Sequence, residues 1–561
     1  MSRSDDRRRL LRFVYGADRA EDVLDRIEAL LARHPPSRRS TMPRWDERDS
    51  WLIAYPDQFR RPGEAPLATL DRIHCRHLEP LNGVHVLPFF PWSSDDGFAV
   101  MDYTEVDPRY GGWEDVERIA RHRRLMVDAV INHMSVEGTW FRRFLAGDPE
   151  FTHRFRTADP SADLSTCVRP RTTPLLTPFE TDRGTVWVWT TFSADQADLD
   201  YRDPRTLLSV LDVLLSYARH GAKVIRLDAV GFLWKQEGTS CIHLPQTHAL
   251  IQLFRACLDD TYPDVLLVTE TNVPHAENLS YFGDGSMPEA QIVYQFALAP
   301  LTLHAISTGE VDPLRSWAAG LRLDVPGTTF LNFLASHDGV GLRPAEGILS
   351  PAQIDALTRL AIEAGGVVGE RALPSGGEAP YELDSTWFDL VAVGWPEELA
   401  VRRHLATHAV MLAMRGVPAV YVHSLFGTSN DHGEYHRSGI ARRLNRHRFA
   451  DADALEDRLS DISSREHRVL HGMRRMLRLR ASHPAFHPDA TGAILDVADG
   501  VFGVERVAAD GRRVRVLVNL TPDPVPLDHA RWRRLVDGAQ PPDRIEGFGS
   551  VWLAEGRAGA P

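Results

Sequence analysis

The stretch AKVIRLDAV, residues 222–230, has the composition of a strand buried inside a parallel sheet. Its Ala, Val, Ile and Leu residues form an almost continuous apolar run, as expected where helices cover both faces of a sheet. Seven similar runs alternate with segments of helical pattern along the chain, at residues 50–59, 83–91, 124–133, 264–272, 291–298, 328–338 and 418–427. Eight such units predict an α/β fold of the (β/α)8 type, a TIM barrel, built from residues 49–133 and 206–484.

Segments at both ends of the chain predict further units. Residues 1–48 contain an amphipathic helix and a Pro/Ser-rich link, so we expect an N-terminal helical segment there. Residues 485–561 contain short alternating segments such as AILDVADGVFGVERV, separated by Asp-Gly turns. This pattern is typical of antiparallel strands and predicts a C-terminal antiparallel β domain.

Two connections are too long for simple strand-to-helix turns. Residues 134–205, after the third strand, contain TVWVWTTFSADQADLDYRDP and predict a small inserted domain. Residues 340–400, after the seventh strand, include a Gly/Pro-rich stretch. We expect them to form a long loop region over the mouth of the barrel.

The bulk composition excludes several classes of protein. The chain has 561 residues, of which 43% are hydrophobic and 25% charged, as expected of a globular protein with two or three packed units. A formal net charge of -13 argues against a nucleic-acid partner, because phosphate binding needs clustered Lys and Arg. No membrane-spanning stretch and no secretion signal is visible, so we expect a cytoplasmic protein without a membrane partner.

The four cysteines, Cys75, Cys167, Cys241 and Cys257, lack the spacing of a metal site or a disulfide scaffold. We therefore expect no metal ion, and no motif indicates a cofactor. The sequence leaves the oligomeric state open.

Polar residues follow the predicted strands at the ends where a barrel carries its active site. Arg226 and Asp228 belong to the fourth strand, Glu270 to the fifth, and Asp338 follows the seventh. A lone Asp at the end of a strand is typical of a turn former or a helix cap. Three carboxylates at the ends of three strands, with Arg226 on the same face as Asp228, instead indicate a catalytic site.

Paired carboxyl groups are the machinery of glycosidic bond chemistry. One attacks the anomeric carbon, the other protonates the leaving oxygen, and a third can stabilise the positive charge that develops on the sugar. The nucleophile must stay ionised, which Arg226 would favour, whereas the acid must keep its proton near neutral pH in a less polar setting.

Four motifs resemble the α-amylase family of glycoside hydrolases and transglycosylases, in the family's order: DAVINH (128–133), VIRLDAVGF (224–232), LLVTETN (266–272) and FLASHDG (333–339). The resemblance implies that Asp228 is the nucleophile, Glu270 the general acid/base and Asp338 the transition-state stabiliser. The hydrogen-bond donors that it implies around the glucosyl ring and the nucleophile are His133, Arg226 and His337.

A closer resemblance, over residues 50–480, is to the sucrose-phosphorylase-type branch of the family. It rests on segments such as GVHVLPFFPWSSDDGFAVMDYTEVDPRYGGWEDV and RRLNRHRF. In that branch an Asp and an Arg close the site around one glucosyl unit, and these are Asp95 and Arg446 here. Phe98 is the expected stacking platform. The resemblance implies a pocket for a single glucosyl unit and not an open polysaccharide cleft.

Around the second binding position, SHDGVGLRPAEG (336–347) and PYELDSTWF (380–388) resemble glucosylglycerate phosphorylases more closely. Arg343 follows Asp338 by five residues, and we expect it to bind an acceptor carboxylate or phosphate in a bidentate manner. The alternative is a solvated or salt-bridged loop arginine.

Three further residues are candidates for the acceptor side. Tyr381 and Glu382 on the long loop either contact the acceptor or pack the loop. Trp234, together with Lys235, either lines the acceptor side or packs at the rim of the barrel.

The resemblance implies a retaining glycoside phosphorylase that acts on a small α-glucoside and inorganic phosphate. Glucosylglycerate is the expected glucoside, and α-glucose 1-phosphate and glycerate are the expected products. A sucrose or glucosylglycerol-type phosphorylase and an α-glucoside hydrolase stay open as alternatives, since phosphate and water attack the same intermediate. A noncatalytic relative is disfavoured because all three carboxylates are present.

Overall fold

The eight apolar runs form the eight strands of a closed parallel barrel. The computed structural model describes residues 3–41, 43–285, 287–373, 377–527 and 531–556. The strands, numbered β1 to β8 along the chain, are Trp51–Ala54, Gly83–Val86, Arg124–Ala129, Ala222–Leu227, Leu266–Thr269, Ile292–Tyr294, Thr329–Asn332 and Val417–Tyr421. They follow one another in order around the barrel, and β8 pairs with β1. The predicted (β/α)8 barrel is confirmed.

The register of β4 with β3 and β5 places the polar residues at the carboxyl ends of these strands at the same height along the barrel axis. Arg226 lies beside Asp128 of β3, and Leu227 lies beside Thr269 of β5. Asp228 and Glu270, the residues that follow these two strand ends, therefore leave neighbouring strands side by side at the carboxyl end of the barrel.

Helices surround the strands and continue after them. The bounds, from the first barrel helix onward, are Pro66–His77, Trp113–His122, Thr139–Leu145, Pro204–Arg219, Pro245–Thr261, His275–Leu279, Leu298–Thr308, Asp312–Gly320, Pro351–Glu363, Trp387–Ala392, Glu397–Ala413, Val422–Phe426, His432–Ser438, Ala452–Ser460 and Arg465–Ala481. The helix before β4 begins at Pro204 because the Asp203 side chain accepts a hydrogen bond from Arg205 N–H. Across the described ranges, no helix combines the length and apolar character needed to cross a membrane.

The N-terminal segment consists of two helices, Arg3–Tyr15 and Ala17–Leu31. One face of the second helix is buried, including Val23 and Ile27, and the Tyr15 hydroxyl donates a hydrogen bond to the Tyr201 carbonyl. This segment therefore packs onto the body of the protein. Within the predicted 1–48 unit, residues 1, 2 and 42 lie outside the described part.

The insertion after β3 contains two antiparallel strand pairs. His133–Ser135 pairs with Gln196–Asp198, and Leu176–Thr181 pairs with Gly184–Trp189. These pairs bring the insertion back beside the end of β3. The boundaries of a unit at 134–205 stay a prediction.

Residues 340–400 are more regular than the long loop that the sequence predicts. Val340–Gly341, Val367–Ala372 and Glu378–Asp384 form a small antiparallel sheet, and the helix Pro351–Glu363 precedes the last two of these strands. A capping box between Ser350 and Gln353 starts that helix. The sequence predicted a loop here because the surrounding glycines and prolines outweighed this local helix signal. Residues 374–376 of this region lie outside the described part.

The C-terminal region forms antiparallel sheets, as the sequence predicts. The larger sheet has the strand order Thr491–Leu495, Val501–Val507, Arg513–Asn519, Ser550–Glu555 and Trp532–Arg534, and a smaller pair joins Val525–Pro526 to Arg544–Ile545. Residues 528–530 and 557–561 of the predicted 485–561 domain lie outside the described part.

Candidate active site

One cavity at the carboxyl end of the barrel collects most of the residues singled out in the sequence. Those that line it are Asp95, Phe98, His133, Asp228, Glu270, His337, Asp338, Arg343, Tyr381 and Glu382. They come from connections after five different strands and from the sheet of residues 340–384. The fold thus brings together groups that are up to about three hundred positions apart in the chain.

Asp228 shares a guanidinium with a structural carboxylate. Arg226 Nη1 donates to Asp228 Oδ1 at 2.6 Å and also contacts Asp128 of β3, which His85 Nε2 approaches at 2.6 Å. These side chains are buried. Burial raises the pKa of Asp228, while the Arg226 guanidinium opposes the rise. The net effect raises the pKa of Asp228 to about 8, and the contact with Arg226 limits this rise.

Glu270 lies on the opposite side of the same arginine. Its Oε2 accepts a hydrogen bond from the backbone N–H of Ala229 at 3.0 Å, and Ala229 has a left-handed φ of 48°. Arg226 Nη2 is 3.9 Å from Glu270 Oε2, farther than its contact with Asp228. Burial raises the pKa of Glu270, and the Asp338 carboxylate raises it further. Both carboxyl groups thus have raised pKa values, and the closer contact with Arg226 favours ionisation of Asp228 over that of Glu270.

Asp338 is surrounded by cationic and polar groups. Arg442 Nη1 is 2.7 Å from Asp338 Oδ1, His337 Nε2 is 3.3 Å from Oδ2, and Arg446 Nη2 is 3.9 Å from Oδ1. Burial alone would raise the pKa of Asp338, but these neighbours lower it below its ordinary value. Asp338 is therefore held as an ionised carboxylate in the wall of the cavity.

The turn after β2 closes one side of the cavity. Asp95 forms an ion pair with Arg446 at 3.2 Å, and Arg446 is also 2.9 Å from Asp96. Asp95 and Asp96 have φ angles of 52° and 49°, which costs strain in residues with a side chain. Arg446 Nε donates to the His337 carbonyl at 2.8 Å and so links this turn to the connection after β7.

Aromatic rings form a flat wall beside this closed end. The rings of Phe98 and His337 stack with centroids 4.6 Å apart and an angle of 3° between them. His133 Nε2 is 3.0 Å from the Phe98 carbonyl oxygen, which fixes the imidazole against the same wall. A flat ring faced by polar groups suits one pyranose unit.

Arginines gather on the other side of the cavity. Arg442 binds Glu382 in a bidentate manner, with both N–O distances at 3.0 Å. The guanidinium of Arg171 lies 5.4 Å from the Tyr381 ring centroid and 3.9 Å from Glu382. Arg343 Nε is buried without a hydrogen bond, and no salt bridge to Arg343 is found among the described residues. This side therefore carries more positive than negative charge and offers an unpaired donor.

Trp234 and Lys235 occupy a different place from the one expected on the acceptor side. Trp234 packs into the main hydrophobic core and does not line the cavity. The buried Lys235 ammonium lies 2.9 Å from Asp198 and 2.7 Å from Asn132. The structure thus supports the packing alternative for Trp234, and Lys235 is paired because an unpaired buried ammonium is costly.

Sequence reasoning missed two arginines of this site. Arg442 is the first residue of RRLNRHRF, in which only Arg446 had been given a role, so its motif carried a usable signal. Arg171 lies in the insertion, where no local pattern marks it. Other cavity-lining residues without a sequence assignment include Phe192, Gln196 and Asn272.

Within the described ranges, no cluster of three or more His, Cys, Asp or Glu side chains is arranged to hold a metal ion.

Known proteins share both the sequence and the fold. The α-amylase catalytic domain model matches residues 71–339. The chain is 47% identical to the glucosylglycerate phosphorylase of Allomeiothermus silvanus, with 97% of each chain covered. It is 31% identical to the sucrose phosphorylase of Agrobacterium vitis, with 79% of this chain and 91% of that protein covered.

A solved structure of another protein has a similar fold. The sucrose 6F-phosphate phosphorylase from Thermoanaerobacter thermosaccharolyticum has a TM-score of 0.73 and 21% identity, with 86% of this chain and 95% of that chain covered. The similarity to these relatives extends over nearly the whole chain. The closed barrel with carboxylates at its strand ends is consistent with it. This protein belongs to the α-amylase family.

Proposed function

We propose that this protein is a retaining glycoside phosphorylase that cleaves glucosylglycerate with inorganic phosphate. The products are α-glucose 1-phosphate and glycerate. The observation that carries the proposal is the polarity of the cavity: a closed end for one glucosyl unit faces an acceptor side with the unpaired Arg343. The 47% identity to a glucosylglycerate phosphorylase over 97% of both chains supports the choice of substrate.

The first half of the reaction transfers the glucosyl unit to the protein. An ionised Asp228 oxygen attacks the anomeric carbon, and Glu270 protonates the glycerate oxygen that leaves. Asp338 stabilises the positive charge on the ring in the transition state, and Asp95 with Arg446 holds the far end of the sugar. The result is a β-linked glucosyl ester on Asp228.

The second half returns the configuration to α. A phosphate oxygen enters from the side vacated by glycerate, attacks the anomeric carbon and displaces the Asp228 carboxylate. Two inversions give net retention. Glycerate and phosphate are both anions, so a cationic acceptor side favours each of them over water and neutral alcohols.

The test compares products and donors in parallel. The protein is incubated with glucosylglycerate or sucrose, with and without phosphate, and glucose 1-phosphate and free glucose are measured separately. We expect glucose 1-phosphate from glucosylglycerate, at a rate that depends on phosphate. Free glucose formed at a phosphate-independent rate would identify a hydrolase, and a preference for sucrose would identify a sucrose phosphorylase.

A further inference from the structure

Cys167 and Cys241 form a thiol pair away from the reacting carboxylates. Cys167 Sγ lies 3.4 Å from Cys241 Sγ, although 74 positions separate them in the chain. Both residues are buried, in a small apolar cluster with Leu175 and Trp189. Cys75, in contrast, is exposed. The two sulfurs are thus held together by the fold and shielded from other protein molecules.

Hydrogen bonds hold the two cysteine-bearing segments side by side. Val168 N–H donates to the Ser240 carbonyl at 2.9 Å, and the Thr166 hydroxyl donates to the Thr239 carbonyl at 2.9 Å. A disulfide needs the sulfurs about 2.05 Å apart. The segments therefore have to approach by little more than one ångström, or rotate the side chains slightly, for a bond to form.

Both segments continue into the wall of the cavity. Arg171 follows Cys167 by four positions, Ile242 follows Cys241 directly, and both line the cavity. Cys241 and His243, on either side of Ile242, have φ angles of 56° and 55°, a strained conformation for residues with a side chain. A contraction between the sulfurs would reach the acceptor side through Arg171 and Ile242.

We propose that Cys167 and Cys241 form a reversible disulfide on exposure to hydrogen peroxide, and that this bond changes the acceptor side of the cavity. The Cys241 thiolate attacks one peroxide oxygen, which gives a sulfenic acid and releases water after protonation. The Cys167 sulfur then attacks the Cys241 sulfur, the S–S bond forms, and a second water leaves. Two thiols lose two electrons and two protons, and one peroxide becomes two waters.

The local hydrogen bonds favour Cys241 as the first nucleophile. The hydrogen bond from Cys167 lowers the pKa of the Cys241 thiol to about 6, and the Thr239 hydroxyl lowers it further. Cys167 correspondingly keeps its proton, since the same interaction and its burial raise its pKa. The pair therefore has one reactive sulfur and one resolving sulfur.

The first experiment measures the bond itself and does not depend on the proposed function. The whole protein is treated with peroxide, alkylated and digested, and the 167- and 241-containing peptides are analysed by mass spectrometry. We expect a linked pair with a mass about 2 Da below the sum of the two peptides, reversed by dithiothreitol. Cys167→Ala and Cys241→Ala should each abolish it, whereas Cys75→Ala, the exposed control, should not. Unlinked peptides, or sulfinic acid at either residue without a link, would overturn the proposal.

The second experiment measures the effect on the cavity. Hydrogen–deuterium exchange of the 166–171 and 239–243 peptides should slow on oxidation, and unchanged exchange in both would contradict the effect on the cavity. The activity readout rests on the proposed function: KM for phosphate should shift by about threefold or more in the oxidised protein. Cys167→Ala should keep the KM of the reduced protein in peroxide. If the reduced protein lacks phosphorolysis, the proposed function fails, while the linked peptides and the exchange data still decide this inference.

Discussion

Arg226 donates a 2.6 Å hydrogen bond to Asp228, two positions further along the chain. The same guanidinium is 3.9 Å from Glu270. This unequal sharing favours ionisation of Asp228 over that of Glu270, because a closer cation stabilises the charged form more strongly. We therefore propose that the position of this arginine separates the roles of nucleophile and acid.

Asp228→Asn should abolish glucosyl transfer, because an amide cannot form the glucosyl ester. We expect kcat to fall by about 10⁴-fold or more with glucosylglycerate and phosphate. The matched control is Asp195→Asn, at a carboxylate outside the cavity lining that accepts hydrogen bonds from the hydroxyls of Ser93, Ser94 and Ser135. Turnover near the parent level in Asp228→Asn would show that another group is the nucleophile.

The first product should be α-glucose 1-phosphate. Retention requires the two carboxyl groups roughly 5 to 5.5 Å apart, and in this site both contact one guanidinium, which keeps them close. Proton NMR of the early reaction distinguishes the α from the β anomer of the sugar phosphate. An initial β product would mean a single displacement and would exclude the ester on Asp228.

Glu270 should give the reaction a basic limb in its pH profile. Burial raises its pKa, and the rate of donor cleavage should fall as the pH rises through that pKa, because the proton for the leaving group is lost. α-Glucosyl fluoride needs no protonation of its leaving group, so single-turnover fluoride release should not show this decline. Glu270→Gln should lose activity with glucosylglycerate and accumulate the glucosyl ester from the fluoride. The same basic limb with both donors would assign it to another group.

Arg343→Ala should penalise glycerate more than neutral acceptors. Burying the carboxylate of glycerate without a partner is costly. Loss of a charged hydrogen bond should therefore raise the activation free energy for glycerate, relative to neutral acceptors, by roughly 1.5 to 3 kcal/mol, which lowers the relative specificity constant about 10- to 150-fold. The measurement is synthesis from glucose 1-phosphate with glycerate, glycerol and fructose side by side. Arg359→Ala, at an exposed position on the helix Pro351–Glu363, is the matched control. Equal losses with all three acceptors would indicate loop displacement and not recognition of the carboxylate.

Lys235→Met should destabilise the protein by about 3 kcal/mol or more, because it leaves Asp198 buried without its cation. Thermal unfolding and urea titration measure the loss. Lys223→Met, at an exposed lysine of β4, is the control and should have little effect. Adding Asp198→Asn to Lys235→Met should recover part of the loss. A change no larger than that of Lys223→Met would mean that the ion pair contributes little.

The sequence by itself determined the barrel and its three carboxylates. Each strand is a contiguous apolar run, and Asp228 and Glu270 come directly after two such runs, so local pattern and the geometry of parallel strands were sufficient. Arg226 donates a hydrogen bond to Asp228, and a spacing of two residues places both side chains on one face of a strand.

Only the tertiary structure decided the surroundings of these groups. The contact of Arg442 with Glu382 spans 60 positions, and that of Lys235 with Asn132 spans 103. Trp234 lies in the core, although its neighbours in the sequence suggested the cavity. Local periodicity carries no information about such contacts. They form because buried charges must find partners, and because packing of the insertion and the 340–384 sheet onto the barrel brings distant segments together.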